Sequence, residues 1–281
     1  MLLFKTVADL QIHIAQQKQN GHTIGFVPTM GALHQGHLSL MKQSINENEI
    51  TICSIFVNPT QFNDSEDLQK YPRTIEKDIE LLTLTGVDIL FLPEVDEVYP
   101  KNWQTPSFDF QGLDELMEGE HRPGHFAGVA EVVYRLLDIV KPTTLYMGQK
   151  DYQQWRIIQS MLTQLNSNIR LKRCAIEREI DGLAMSSRNV RLPEEARMIA
   201  PNINKILELA RQDIVTLSIQ EVIFNARKRL NEVTNFTLDY FEIVDGQTLK
   251  RVENKDSTTS LVACTAVYLA NIRLIDNIIL R

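Results

Sequence analysis

The stretch Pro28-Thr29-Met30-Gly31-Ala32-Leu33-His34-Gln35-Gly36-His37 places two imidazoles three positions apart with a glycine between them. An apolar run at 23–27 precedes it and an amphipathic segment at 38–45 follows it. The histidines therefore stand where a strand hands over to a helix. Such a corner exposes backbone N–H groups without helical partners, and the positive end of the helix dipole, and so suits a phosphate. The plainer alternative is a pair of loop histidines, one half-buried. Strand, glycine and helix in this order favour phosphate chemistry.

Three more polar stretches carry candidate chemistry. Asn58-Pro59-Thr60-Gln61-Phe62 follows a second apolar run. Asn and Gln can bind a hydroxyl or carboxylate without bringing a charge, although Asn-Pro is also a common turn. Gly148-Gln149-Lys150-Asp151-Tyr152-Gln153-Gln154 follows another run and opens a helix. There Gly148 allows close backbone approach, Lys150 can meet a phosphate and Gln154 can reach inward; the alternative is a solvated helix start. Asp181-Gly182-Leu183-Ala184-Met185-Ser186-Ser187-Arg188-Asn189 offers a turn, two hydroxyls and a guanidinium. Arg is a forked donor that stays charged, so Ser-Ser-Arg can clamp a triphosphate; the alternative is an ordinary loop. Met30 alone also reads as core filler. His121 and His125, flanking Gly124, read as structural.

The elements that must position these residues alternate. Helices are predicted at 6–19, with Val7, Leu10 and Ile14 on one face, and at 37–46, 73–84, 129–137 and 153–165. Strands are predicted at 23–27, 50–57, 87–92, 145–147 and 169–176, and the run at 50–57 is apolar enough to be buried on both faces. This alternation spells an α/β fold with a doubly wound parallel sheet. Ligands of such sheets sit at the carboxyl ends of strands, where the motifs begin. The character changes near Arg173. Pro193-Glu194-Glu195 opens a helix with proline at its first position, and Ser218-x-x-Glu221 is a capping box for a helix to about Leu230. Strand-like runs at 238–244, 260–269 and 271–280 complete a smaller α+β domain. The expected division is 1–173 and 174–281.

Composition excludes several classes. The chain has 281 residues, 43% hydrophobic and 23% charged, with net charge −7, as an ordinary globular protein of one large domain or two would have. No basic cluster points to nucleic acid. No apolar run reaches membrane-spanning length, and the first residues are too short for a signal h-region. Cys53, Cys174 and Cys264 are far apart and odd in number, which predicts buried reduced thiols and a cytoplasmic protein.

Taken together the motifs are far more specific. The stretch from Pro28 to His37, Phe56-Val57-Asn58-Pro59-Thr60-Gln61-Phe62, Tyr71-Pro72-Arg73-Thr74, Arg122-Pro123-Gly124-His125-Phe126-x-Gly128-Val129, Gly148-x-Lys150-Asp151-x-Gln153-Gln154 and Asp181-Gly182-Leu183-Ala184-x-Ser186-Ser187-Arg188-Asn189 occur in this order. The chain resembles the pantoate–β-alanine ligases, densely through Arg191 and more loosely beyond. That family belongs to the cytidylyltransferase-like, adenylate-forming superfamily, whose Rossmann-like, nucleotidylyltransferase-type fold the resemblance implies.

The resemblance further implies that ATP activates (R)-pantoate as pantoyl adenylate, and that the β-alanine amine then displaces AMP. It makes His37 the proton donor and His34 an assistant at the phosphates, with Lys150 and Arg188 as cationic catalytic residues. Met30, Gly31, Ala32, Leu33, His34, Gln35, Gly36 and His37 carry over as an ATP-binding corner. Gly148, Gln149, Lys150, Asp151, Glu177, Met185, Ser186, Ser187 and Arg188 carry over as further ATP contacts, the second domain closing over the nucleotide. Glu177 departs from the small apolar residue usual at the adenine edge. Gln61 and Gln154 carry over as pantoate ligands, with Asn58 and Arg122 as weaker candidates. Mg²⁺ is expected with ATP; Asp78 is a candidate on the metal side, short of an assigned ligand. The partners implied are small molecules and a second copy of the chain. The rival readings are another nucleotidylyltransferase, a truncated aminoacyl-tRNA synthetase, or a non-catalytic nucleotide-binding protein. The first two should lack the paired glutamines, and the third should have lost a reacting residue.

Overall fold

Three central strands of the first half of the chain, at Ile24–Thr29, Ile50–Ile55 and Ile89–Phe91, are almost wholly buried. The computed structural model describes residues 1–62 and 65–281. In chain order the elements are β1 (Leu2–Phe4), α1 (Val7–Gln19), β2 (Ile24–Thr29), α2 (Gln35–Glu47), β3 (Ile50–Ile55), α3 (Ser65–Lys70), α4 (Ile75–Thr85), β4 (Ile89–Phe91), α5 (Val95–Val98), α6 (Glu118–His121), α7 (His125–Val140), β5 (Thr144–Gly148), α8 (Tyr152–Gln164) and β6 (Arg170–Cys174). Then come α9 (Glu194–Ile199), α10 (Asn202–Asp213), α11 (Ile219–Glu232), β7 (Thr237–Asp245), β8 (Leu261–Leu269) and β9 (Ile272–Ile279). Single 3₁₀ turns lie at Pro59–Gln61 and Gln149–Asp151.

The chain divides into two compact units. The first comprises Met1–Phe110, Arg122–Gly148 and Ile157–Cys174; the second comprises Gln111–His121, Gln149–Arg156 and Ala175–Arg281. Within the first unit the six strands form a parallel sheet in the order β1-β4-β3-β2-β5-β6. Crossovers run one way from β2 to β4 and the other way from β4 to β5. Right-handed crossovers in opposite directions fall on opposite faces, which puts α2 and α4 on one side and α1 and α7 on the other. Gly25 lets α2 approach, since a Cβ there would lie 2.0 Å from Ser44 Oγ.

The direction of winding reverses between β2 and β5. Pairing of these strands ends at Phe26 with Leu145. Pro28, two residues on, has no N–H with which to extend it. The strands are thus free to part at their carboxyl ends, where ligands of such sheets bind. Val27, Leu38, Met41, Cys53, Leu82 and Leu90 fill the core beneath α2 and α4.

The second unit packs α10 and α11 on an antiparallel sheet ordered β7-β8-β9. Ile206, Leu207, Val222, Phe241 and Val267 form its core. Ser218 and Glu221 make the expected capping box. Pro193 stands at the N-cap of α9 instead of its first helical position. The third strand, expected at 50–57, stops at Ile55, and the helix expected at 129–137 starts at His125. The edge strand β1, three residues long, has too little pattern to announce itself. All three cysteines are free and buried. Among the described residues, no helix is long and apolar enough to cross a membrane.

Candidate active site

In the first unit, β2 hands over to α2 through the histidine corner. His34 is the N-cap of α2 and His37 the third residue of its first turn. Gly36 donates its N–H to His34 Nδ1 at 3.1 Å, and His34 donates its own to His37 Nδ1 at 3.4 Å. The ring centroids are 4.0 Å apart. A neutral imidazole that accepts at Nδ1 carries its proton on Nε2. The cap therefore makes both rings Nε2–H donors.

The corner differs from the expectation of unpaired backbone donors. Gly31 donates to Thr29 Oγ1 at 3.2 Å, and His37 and Leu38 donate to the His34 carbonyl at 2.8 and 3.1 Å. Ala32 and Leu33 donate to the two oxygens of Asp78, at 2.9 and 2.8 Å. The reason is general: a buried N–H left without a partner costs about 1–3 kcal/mol. The donors this corner offers are its imidazoles, more than its backbone.

Asp78 is the residue whose role the sequence did not show. It is 1% exposed, lies in the first turn of α4, and also accepts from Thr74 Oγ1 at 3.2 Å. Its carboxylate pins Ala32 at φ +49°, a left-handed conformation that non-glycine residues seldom adopt. Gly31 has φ +79°, and a Cβ there would come within 3.1 Å of Asp78 Oδ2. The one available signal was Thr74 opening a helix with an acid four residues on.

Gln61 stands against the same corner, its Nε2 donating to Met30 Sδ at 3.0 Å. Thioether sulfur is a weak acceptor, so this donor is readily redirected to an oxygen. Gln61 Oε1 accepts from Asn58 Nδ2 at 3.3 Å. Asn58 is 1% exposed and braces the turn from inside, donating to the Gly128 carbonyl at 3.2 Å and accepting from Tyr99 Oη at 3.0 Å. A Cβ at Gly128 would lie 2.4 Å from the Thr60 carbonyl, so α7 can approach the Thr60 backbone this closely only with glycine at that position. His125 Nδ1 is 2.9 Å from the Gln61 carbonyl, and Arg122 Nη1 is 3.1 Å from His125 Nε2. With Arg122 donating to Nε2, the ring's proton is on Nδ1 and is given to Gln61. Arg122 and His125 thus support the glutamine turn. Gly148 closes β5 in this unit.

In the second unit, Gln149, Lys150 and Asp151 form the turn before α8. The adjacent glutamines of α8 differ. Gln153 is buried, its amide held by the carbonyls of Leu113 and Leu116 at 2.7 and 2.8 Å and by the Glu118 N–H at 3.0 Å; Gln154 is half-buried. His121 Nδ1 meets Asp239 Oδ1 at 2.8 Å, in keeping with a structural role.

The remaining candidates of this unit share one loop. Glu177 is exposed, and its carbonyl accepts from the Met185 N–H at 3.0 Å. Asp181 accepts from the Leu183 N–H at 3.2 Å and pairs with Arg197 at 2.6 Å, which holds its carboxyl below the usual range. Ser186 Oγ accepts from the Arg188 N–H at 3.2 Å, and Asn189 Nδ2 donates to the Ala184 carbonyl at 3.0 Å. The loop is therefore built around Met185, Ser186, Ser187 and Arg188 by bonds on both sides. Among the described residues, no group of three His, Cys, Asp or Glu side chains is placed to hold a metal.

The six-stranded parallel sheet with its flanking helices, beside the small antiparallel sheet, is a fold of the nucleotidylyltransferase type. Residues 2–279 match the family model described as pantoate-beta-alanine ligase. Pantothenate synthetase of Bacteroides fragilis is 46% identical over 278 residues, spanning 99% of this chain and 98% of the relative. That of Porphyromonas gingivalis is 47% identical, spanning 99% of each. The crystal structure of pantothenate synthetase from Thermus thermophilus superposes with a TM-score of 0.93 at 39% identity, covering 100% of this chain and 99% of that one. The pantoate-beta-alanine ligase of Francisella tularensis, solved in complex with beta-gamma ATP and beta-alanine, gives 0.81 at 35% identity over 100% and 98%. The chain belongs to the pantoate–β-alanine ligase family.

Proposed function

We infer that this chain condenses (R)-pantoate with β-alanine to pantothenate, converting ATP to AMP and pyrophosphate. A pantoate carboxylate oxygen attacks the α-phosphorus, and the bond to the bridging oxygen of pyrophosphate breaks. The β-alanine amine then attacks the acyl carbon of pantoyl adenylate. The acyl bond to AMP breaks and the amine gives up a proton. Two steps are needed because a carboxylate resists an amine and AMP leaves far more easily than oxide.

The observation that carries the reading is the paired cap of His34 and His37, in a chain that belongs to this family. Donors aimed at charge that grows during the first step are what such a site must supply. His37 is assigned the role of proton donor and His34 that of assistant at the phosphates, through their Nε2–H groups. Lys150 and Arg188 supply countercharge. Met30 to His37, Gly148 to Asp151, Glu177 and Met185 to Arg188 are the proposed ATP contacts. Gln61 and Gln154 are assigned to pantoate: a neutral amide pair orients the carboxylate without drawing its charge away from phosphorus.

On this reading residues 1–173 bind nucleotide and pantoate, and 174–281 close over the ATP. Mg²⁺ would come as the counterion of the triphosphate, since it prefers phosphate oxygens and water. Asp78 does not fit it, because both its oxygens hold backbone N–H groups, and no step here depends on the ion. Buried free thiols support a reducing, cytoplasmic setting. A homodimer is proposed from the family resemblance alone.

The test supplies ATP, pantoate and β-alanine, and omits each in turn. Equimolar AMP and pantothenate, both requiring all three, is the expected result. ADP and phosphate in place of AMP and pyrophosphate would overturn the reading.

A further inference from the structure

We propose that Asp276 and Asn277, adjacent on β9, are positioning residues for the ligase reaction: Asn277 fixes the turn that carries Lys150, and Asp276, through Arg178, fixes the turn that leads into Ser186, Ser187 and Arg188. The proposal rests on the reading of Lys150 and Arg188 as triphosphate contacts.

Asn277 is 2% exposed. Its Nδ2 donates to the carbonyls of Gln149 and Lys150, at 3.0 and 2.8 Å, and its Oδ1 accepts from Gln149 Nε2 at 3.3 Å. The whole amide is thus turned on one short segment. An apolar side chain would fill a sheet interior without needing hydrogen bonds, so the turn explains why this residue is asparagine. Lysine carries its charge on a flexible four-carbon stem. Where the ammonium goes is therefore decided largely by the backbone beneath it, and a misplacement of about 1 Å can cost a reaction about a hundredfold.

Asp276 is 3% exposed and grips Arg178 with both oxygens, at 2.7 and 3.1 Å. Its Oδ1 also accepts from the Asn277 N–H at 2.8 Å. Arg178 Nη1 donates in turn to the Gly182 carbonyl at 3.1 Å, and Arg178 pairs with Ala184 as an isolated β-bridge. Burial pushes the Asp276 carboxyl up, while Arg178 and, more weakly, Lys150 pull it down. Buried ion pairs add little net stability compared with apolar packing; the use of this one is geometric. Successive strand residues project to opposite faces, so a single step of β9 governs both turns.

A double-mutant cycle on the full-length enzyme tests this, read as kcat and KM for ATP and for pantoate together with the melting temperature. Asn277→Ala is expected to lower kcat/KM for ATP about tenfold, through loss of its grip on the Gln149 and Lys150 carbonyls, and to leave the pantoate KM unchanged. In a Lys150→Ala background the same change is expected to have less than about a twofold effect, because coupled residues are not additive. Asp276→Asn with Arg188→Ala forms the parallel cycle. Asn277→Ser, which keeps one donor, replaces Asn277→Ala should the latter not fold. Equal effects in both backgrounds, or a loss of active enzyme with every KM unchanged, overturn the positioning role. If Lys150→Ala alone leaves ATP use intact, the assignment of Lys150 fails first and the proposal falls with it.

Discussion

The histidine corner and the Lys150 turn each present candidate reacting groups at the start of a helix, yet they are braced from different distances. Asp78, which holds the corner, lies 45 and 46 residues from the N–H groups it accepts. Asn277, which holds the Lys150 turn, lies 127 and 128 residues away. The corner also braces itself, because its own imidazoles accept its own backbone donors. The turn has its carbonyls gripped from a strand. A corner organised by its own sequence can be recognised as a motif, whereas a turn organised from a remote strand shows only the residues it presents.

His37→Ala breaks the corner where its chemistry would be greatest. Loss of a donor to developing charge is expected to slow adenylation by about 10²–10³-fold. A melting temperature that hardly moves is expected if the role of the ring is chemical. Stopped-time assays of pantoate-dependent pyrophosphate release, with a melting curve, check this. Near-normal release would remove His37 from the chemistry.

Asp78→Ala attacks the brace instead of the donor. It strands the buried N–H of Leu33 and the half-buried N–H of Ala32, for a loss of about 2–4 kcal/mol of stability read by denaturant unfolding. Activity should fall with it, as Ala32 relaxes from its left-handed conformation. A stable variant with normal kinetics would show that the corner stands without this carboxylate.

Lys150→Ala and Arg188→Ala sharpen the contrast. Both side chains are half-buried cations in the second unit. The expected outcome is at least about a tenfold rise in the KM for ATP, from loss of a charge-assisted bond, with little change in melting temperature. A large melting loss with intact kinetics would make them structural.

Structure held by local bonding is legible in the amino-acid sequence, and structure held by remote bonding is not. Most long elements are legible in the sequence, though α10 is not marked apart from the helix that Pro193 opens, and the Ser218 cap is legible from four residues. The histidine corner was legible as a strand-to-helix handover. Its donors are not legible in the same way, because a run of N–H groups along a sequence does not reveal that Asp78 and two imidazoles already accept from them. Asp276 and Asn277 lie in a strand whose neighbours are mostly core, so nothing in the local pattern marks them as braces. The different settings of Gln153 and Gln154, adjacent in sequence, depend on which face of α8 meets the segment at 113–118.

Gln61→Ala and Gln154→Ala carry the smallest expected effects and test the assignment of each glutamine to pantoate. Each should raise the pantoate requirement about tenfold, the value of one hydrogen bond to a charged group, and leave ATP binding without pantoate unchanged. Titration of both ligands against each variant checks this. A collapse of ATP affinity with an unmoved pantoate requirement would assign the glutamines to the nucleotide instead.

In the proposed mechanism pantoate is adenylated before β-alanine takes part. Exchange of labelled pyrophosphate into ATP, measured with no β-alanine present, tests it most directly. Exchange that depends wholly on pantoate and is lost in His37→Ala is the expected result. Exchange that proceeds without pantoate, or none at all until β-alanine is added, would contradict it.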